Sequence, residues 1–277
     1  MLINKEKMDE IHKIQIEILK STIEVCKKLN LTYFMVHGSL LGTVTTNRFI
    51  PLDDDIDIAM PREDYEKLIK SGNSLINQKY FIQSNKTDKN YPLSFAKVRD
   101  NQTTYIADVV RNFNMHHGIF IDIFPIDFYP KNKIKAKFQF AFEKIFDVRI
   151  SKKYSFDNIS KKKKLKQLIA VCCCPSWYKA IKNRESIQSS TKISEYVCLT
   201  GGKPSERRIP AEWFSSTIPM FFEGVEVLIP KDYDKYLTQI YGDYKTRTLL
   251  ENKIHDENNV EINAYILDTE KPYNHYL

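Results

Sequence analysis

The chain has 277 residues, of which 42% are hydrophobic, 28% charged and 12% aromatic. That balance excludes a disordered or low-complexity protein and suits one large domain or two small ones. The net charge of +7 is unevenly placed, because residues 131–184 hold 16 lysines or arginines against 3 acidic residues and the remainder is net acidic. Such a segment faces phosphates, nucleic acid or an anionic membrane, or is simply solvated. No apolar run reaches the ~18–20 residues that span a bilayer, and MLINKEKMDEIHK lacks the apolar stretch of a signal peptide. Five cysteines, with Cys172, Cys173 and Cys174 adjacent, fit a reduced protein. The expectation is a cytoplasmic chain.

Residues 4–29 predict an amphipathic helix, since Ile11, Ile14, Ile18, Thr22, Val25 and Leu29 step by three and four. Asn30 suits its left-handed stop. A short buried strand follows at 32–36 and then a turn through Gly38-Ser39 into the short helix SLLGTVT. Residues 55–59 alternate acidic and aliphatic side chains, so a strand there sends Asp55 and Asp57 to one face. Pro61 opens a helix through PREDYEKLIKS. Further strands are expected at 79–83, 93–99 and 103–107, the last two joined as a hairpin at Asp100-Asn101. Another is IFIDIF after Gly118, closed by Pro125 and Pro130. Residues 131–196 read as mostly helical, FEGVEVLIP as one strand, and KDYDKYLTQIYGD as a helix ending at Gly242. This order predicts an α+β fold, a small mixed sheet flanked by helices with a largely helical C-terminal part. It divides into a catalytic core (1–130), a basic helical segment (131–200) and a C-terminal α/β part (201–277) packing back on the core.

The chemistry concentrates in HGSLLGTVTTNRFIPLDDDIDIAM, where Asp53, Asp54, Asp55 and Asp57 crowd together. Carboxylates this dense repel one another, and hard divalent cations such as Mg²⁺ or Mn²⁺ take oxygen ligands and neutralise them. Asp55 and Asp57 are the metal ligands expected from strand parity. Asp53 completes the set or serves as a turn residue, and Asp54, of opposite parity, faces solvent or caps. Backbone N–H groups at Gly38 and the Ser39 hydroxyl suit phosphate oxygens. Asp122, acidic within IFIDIF, is the third carboxylate expected on a neighbouring strand.

A glycine-serine turn, an acid-x-acid strand and a distant third acid resemble the nucleotidyltransferase superfamily. The longer match, GSLLGTV through FIPLDDDIDIAMPREDYEKL, is similar to the LicD family of phosphocholine transferases, relatives of fukutin-related proteins. Lys97-Val98-Arg99-Asp100, HGIFIDIFPID (117–127) and FEGVEVLIPKDYDKYLTQIYGDY (222–244) extend the resemblance in the family's order. It implies a nucleotidyltransferase-like core in which Asp55, Asp57 and Asp122 are catalytic and Lys97 and Arg99 hold a diphosphate. Thr45 stands where relatives carry an arginine, with Arg48 as its expected substitute, and Leu52 stands where tryptophan is usual. The implied reaction takes phosphocholine from a CDP-activated donor, CDP-choline, to a hydroxyl of a bacterial surface glycan or glycolipid and releases CMP. CDP-ribitol or CDP-glycerol transfer is the near alternative, and a true nucleotidyltransferase releasing pyrophosphate the more distant one. No nucleic-acid partner is expected. Residues 131–184 are the expected peripheral contact with an anionic membrane at the inner face.

Overall fold

The structure, a computed structural model, describes residues 1–50, 53–154, 161–200, 207–245 and 260–277. Leu52 and His255 lie outside them. After the two-residue strand β1 (Leu2–Ile3), α1 (Lys5–Leu29) begins at Asn4, whose side chain accepts from the Lys7 N–H. It ends at Asn30, in the left-handed conformation at φ 51°. Its buried stripe includes Met8, Ile11, Ile18, Leu19, Thr22 and Val25, as the three-four spacing requires. Gln15 lies in the same stripe.

The core follows as β2 (Phe34–Met35), α2 (His37–Thr45), β3 (Asp57–Pro61), α3 (Arg62–Ser71), β4 (Tyr80–Gln83), β5 (Ala96–Asp100), β6 (Thr104–Ala107) and β7 (Phe120–Tyr129). The basic region gives three helices, α4 (Lys133–Ser151), α5 (Lys161–Cys173) and α6 (Trp177–Gln188). Then come β8 (Tyr196–Leu199), β9 (Ile209–Pro210), β10 (Thr217–Phe222), β11 (Val225–Pro230), α7 (Tyr233–Tyr241), β12 (Val260–Glu261) and β13 (Ala264–Asp268). The class is α+β. The main sheet runs β2-β3-β7-β5-β4, with β3 and β7 parallel and the other neighbours antiparallel, and β8 and β9 extend it beside β7. The principal core draws on residues from Ile3 to Ala264, whereas α4 and α6 close a small cluster of their own around Phe146, Ile150 and Ile181. No helix among the described residues is long and apolar enough to cross a membrane.

Three local expectations are corrected. The 93–99 and 103–107 strands do not form a hairpin; β5 pairs with β4 and β7, and β6 pairs with β13. The reason is the segment entering β7, which takes the ladder between them. The Asp100 N–H donates to the Ile119 carbonyl (2.8 Å) and the Tyr105 N–H to the His117 carbonyl (2.6 Å). Secondly, β7 runs through Pro125 to Tyr129 instead of closing there. On that edge pairing with β5 stops at Ile123 and pairing with β8 starts at Ile126, so the missing proline N–H falls at a gap in the ladder. Thirdly, FEGVEVLIP is the second half of a hairpin, because Glu223 (φ 49°) and Gly224 (φ 76°) both take positive φ and turn β10 into β11.

His116 and His117, buried ahead of β7, set a pH dependence. The Gly118 N–H donates to His116 Nδ1 (3.1 Å), while Nε2 faces Asn101 Oδ1 (2.8 Å), an arrangement only the neutral ring satisfies. Burial, with the positive charge of Arg99, pushes His116 down to about 3, and burial pushes His117 down to about 4. Folded values below the unfolded one mean that the unfolded chain binds the extra protons, so this stability is complete above the ordinary histidine range and lost on acidification. The two rings together should cost up to about 2.7 kcal/mol per pH unit between about pH 6 and 4. Urea titrations across that range should give His116→Gln a slope shallower by about half; equal slopes would rule His116 out.

Candidate active site

The parallel register of β3 and β7 sets Asp57 directly opposite Asp122, and the antiparallel register of β5 sets Lys97 opposite Asp122 on the other side. Side chains opposite one another project to the same face of a sheet, so two acids and an ammonium form one row across three strands. Asp55 adds a third carboxylate two residues before Asp57. One oxygen from each of Asp55, Asp57 and Asp122 lies within 4.8 Å of the others. At an effective dielectric near 20, each ionised pair this close repels by at least about 3 kcal/mol.

One cation answers this charge from inside the row. Lys97 Nζ is hydrogen-bonded to Asp122 and lies 3.3 Å from the Phe120 ring centroid. Burial pushes Asp55 well above the usual carboxylate range, and the charges of Asp57, Asp122, Asp53 and Asp54 add to it. Burial also lifts Asp122 to about 6, against the downward pull of Lys97. Burial holds Lys97 below its ordinary value in spite of Asp122. Three oxygen donors with more negative charge than the protein balances make a fitting set for a hard divalent cation.

The aspartate loop is held from outside the sheet. On α1, His12 Nε2 is 2.7 Å from the Asp53 carbonyl, and Gln15 Nε2 donates to the Asp54 carbonyl (2.8 Å) and the Phe120 carbonyl (3.2 Å). Gln15 thereby joins the aspartate loop to the start of β7. The Asp57 N–H donates to Ser39 Oγ (2.9 Å), and Tyr105 donates to Asp54 Oδ2 (2.7 Å). Asp54 is thus anchored by a tyrosine rather than left to solvent.

The other sequence candidates divide. Asp53 stands apart from the three-carboxylate group, with its side chain against α2; a side-chain carbon at Gly38 would come within 2.2 Å of Asp53 Oδ2. Gly38 is needed for that close approach. Ser39 is buried and turned toward Asp57. Arg48 is exposed in the loop after α2. Arg99 shares a face of β5 with Lys97 but is enclosed, donating to Gln83 Oε1 (2.5 Å) and the Gly118 carbonyl (2.7 Å), and burial lowers it to about 10. His37, not among the residues the sequence singles out, enters the centre. Its backbone takes φ 51°, its Nδ1 lies 3.3 Å from Asp57 Oδ2, and its ring meets Phe124 edge-on at 5.0 Å. The signal for it was its place immediately before Gly38, where the chain must turn sharply from β2 into α2.

Residues 30–163 match the family described as LicD/FKTN/FKRP, nucleotidyltransferase domain. The chain is also 26% identical over 230 residues to the lipopolysaccharide cholinephosphotransferase LicD of Haemophilus influenzae, covering 79% of this chain and 84% of that protein. The similarity to the LicD family thus lies in residues 30–163 and, for one relative, extends over most of the chain. Uncharacterized proteins of Rickettsia prowazekii and Rickettsia typhi are each 42% identical over 48 residues, 17% of this chain. The matched LicD-family domain contains every member of the carboxylate row and its lysine.

Substituting Asp55→Asn or Asp57→Asn removes like-charge repulsion and keeps the side-chain outline. Each variant should melt roughly 2–6 °C higher than wild type without metal and lose the stabilisation that Mg²⁺ or Mn²⁺ gives wild type. Because Asp55 and Asp122 are raised on folding, their contribution to metal-free stability is complete in acid and declines as pH rises, for Asp122 through about 6. Calorimetric melts with and without metal at pH 5 and 7.5 check both, and equal metal stabilisation in wild type and variants would remove these residues from the ligand set.

Proposed function

We propose that this protein transfers phosphocholine from CDP-choline to a sugar hydroxyl of a bacterial surface glycan, such as a lipopolysaccharide, and releases CMP. The observation that carries the reading is the three-carboxylate row, in a chain similar over most of its length to a protein named as a lipopolysaccharide cholinephosphotransferase. The acceptor oxygen forms a bond to the distal phosphorus of the donor as the bond from that phosphorus to the bridging oxygen breaks, and the bridging oxygen leaves with CMP. Asp122, lifted toward neutrality, is the base for the hydroxyl proton. Lys97 beside it keeps Asp122 partly ionised and returns positive charge to the reacting face. His37 holds Asp57 in place from the α2 side. Asp55, Asp57 and Asp122 would hold Mg²⁺ or Mn²⁺, which supplies charge neutralisation for phosphoryl oxygens and the leaving group. Asp53 supports the turn at Gly38, and Arg48, exposed beside α2, would offer its guanidinium to donor phosphate.

Calorimetry with CDP-choline, CDP-ribitol, CDP-glycerol and CTP, with and without Mg²⁺, tests this reading. CDP-choline should bind best and only with metal. Preference for another CDP conjugate would change the transferred group, and preference for CTP would replace transfer from a diphosphate with nucleotidyl transfer and pyrophosphate release.

The same reading places the acceptor on a lipid carrier, with the basic helices as the contact to an anionic leaflet. On α4, Ile134, Phe138 and Phe142 recur every fourth residue and are exposed, and on α5 Leu165, Leu168 and Ile169 are exposed. Lysines 133, 135, 137, 162, 164 and 166 surround them, the combination of apolar anchors and basic flanks that lies in a membrane interface. The protein should sediment with phosphatidylglycerol-rich vesicles at physiological salt and not with phosphatidylcholine vesicles. Phe138→Ser with Phe142→Ser should weaken this about tenfold or more; an unchanged affinity would remove α4 from the contact.

A further inference from the structure

A second cavity lies beside the carboxylate centre, between the segment leading into β5 and the helices α4 and α6. It measures about 410 Å³, a size that suits a small-molecule site. Its floor is polar and buried, formed by Glu143, Arg184 and Gln188. Arg184 donates from Nη1 to Asp147 (3.0 Å) and from Nη2 to the Pro92 carbonyl (2.6 Å), and Arg207 donates from Nη1 to Glu143 (2.8 Å). After these bonds the Nε–H groups of Arg184 and Arg207 and the Oε1 of Gln188 are buried with no partner among the described residues. Buried polar atoms are nearly always paired. Arg184, Arg207 and Gln188 all line this one cavity, so side chains with unmet hydrogen-bonding capacity gather around it, as at a place for a polar ligand.

The mixture of groups selects which ligand. Glu143 and Asp147 oppose an anion such as phosphate, while Lys144, Arg184 and Arg207 oppose a quaternary ammonium, so neither charged end of a CDP-choline donor suits the cavity. A sugar hydroxyl donates and accepts at once, and needs donors and acceptors side by side. The Arg184–Asp147 and Arg207–Glu143 pairs present them in that way, and Ser94 adds a hydroxyl. Phe95 supplies one aromatic wall, on which the C–H face of a sugar ring packs.

Phe95 also gives the cavity its connection. Its ring lies 4.5 Å from that of Phe124, which meets His37, and Lys97 Nζ is 5.4 Å from the Phe95 ring. One aromatic side chain therefore stands between the cavity and the carboxylate row. We propose that this cavity is the acceptor subsite, holding a neutral sugar ring of the glycan beside Asp122. The proposal rests on the glycan-phosphotransferase reading and adds where and by what groups the acceptor is recognised.

Saturation-transfer NMR on the full chain, with the methyl glycosides of glucose, galactose and N-acetylglucosamine as probes, tests it. At least one glycoside should bind, and should stay bound when CDP-choline and Mg²⁺ are added. Gln188→Leu, which removes the buried acceptor, and Val148→Trp, which fills the cavity, should each weaken that binding about tenfold or more while melting like wild type. Binding of no glycoside, binding indifferent to both variants, or displacement of the glycoside by CMP overturns the proposal. Calorimetry of CDP-choline on the same samples separates the two readings. Donor binding without glycoside binding removes the subsite alone, and glycoside binding without donor binding removes the donor assignment alone.

Discussion

The parallel pairing of β3 with β7 is the constraint on which the site depends. It sets Asp57 and Asp122 side by side, strands about 4.8 Å apart being unable to separate two opposed carboxylates further than their side chains allow. Adding Asp55 from the same strand parity concentrates more negative charge than the fold balances. That excess is a cost to folding, and it sits where three carboxylates could hold a divalent cation.

The surrounding structure holds the row against its own repulsion. Gln15, on the buried stripe of the long first helix, bonds the aspartate loop and the start of β7 together. Ser39 and Val36 fix the backbone of Asp57 from the β2–α2 side. At the far end of β7, Arg62 grips Asp127 with two nitrogens (2.8 and 2.5 Å) and Thr200 bonds the same carboxylate (2.5 Å). That bond joins α3, β7 and the residue after β8. Burial would lower the Arg62 guanidinium, but Asp127 outweighs it and holds it above its ordinary value. The two acids of IFIDIFPID thus have different work. Asp122 faces the open charge, and Asp127 is neutralised in a closed ion pair.

The helical layer divides its surface in a similar way. Its inner side carries paired charges and buried amides toward the cavity beside Phe95, while α4 and α5 turn phenylalanine, leucine and lysine outward. The proposed reaction, between a soluble nucleotide-linked donor and a lipid-carried glycan, would use such an arrangement, with the reacting centre on the rigid sheet and a contact surface on helices beside it.

Much was determined by the sequence alone. Apolar spacing specifies α1 and its stop at Asn30, alternation specifies which aspartates share a face, and the motifs specify the resemblance to the LicD family, because each of these signals is written in continuous stretches of chain. What lay across the chain was decided only by folding. The burial of Lys97 and Arg99 follows from β5 being an interior strand, and a lysine-x-arginine pattern reads the same at an edge. The separation of Asp53 from the metal-type group depends on Gly38, which is adjacent only in space. The hairpin expected at Asp100-Asn101 yields to a strand arriving from residue 119, and Gln15 and His37 take their places from contacts more than fifteen residues away. Local periodicity fixes the direction in which a side chain points. Only tertiary pairing decides what it meets there.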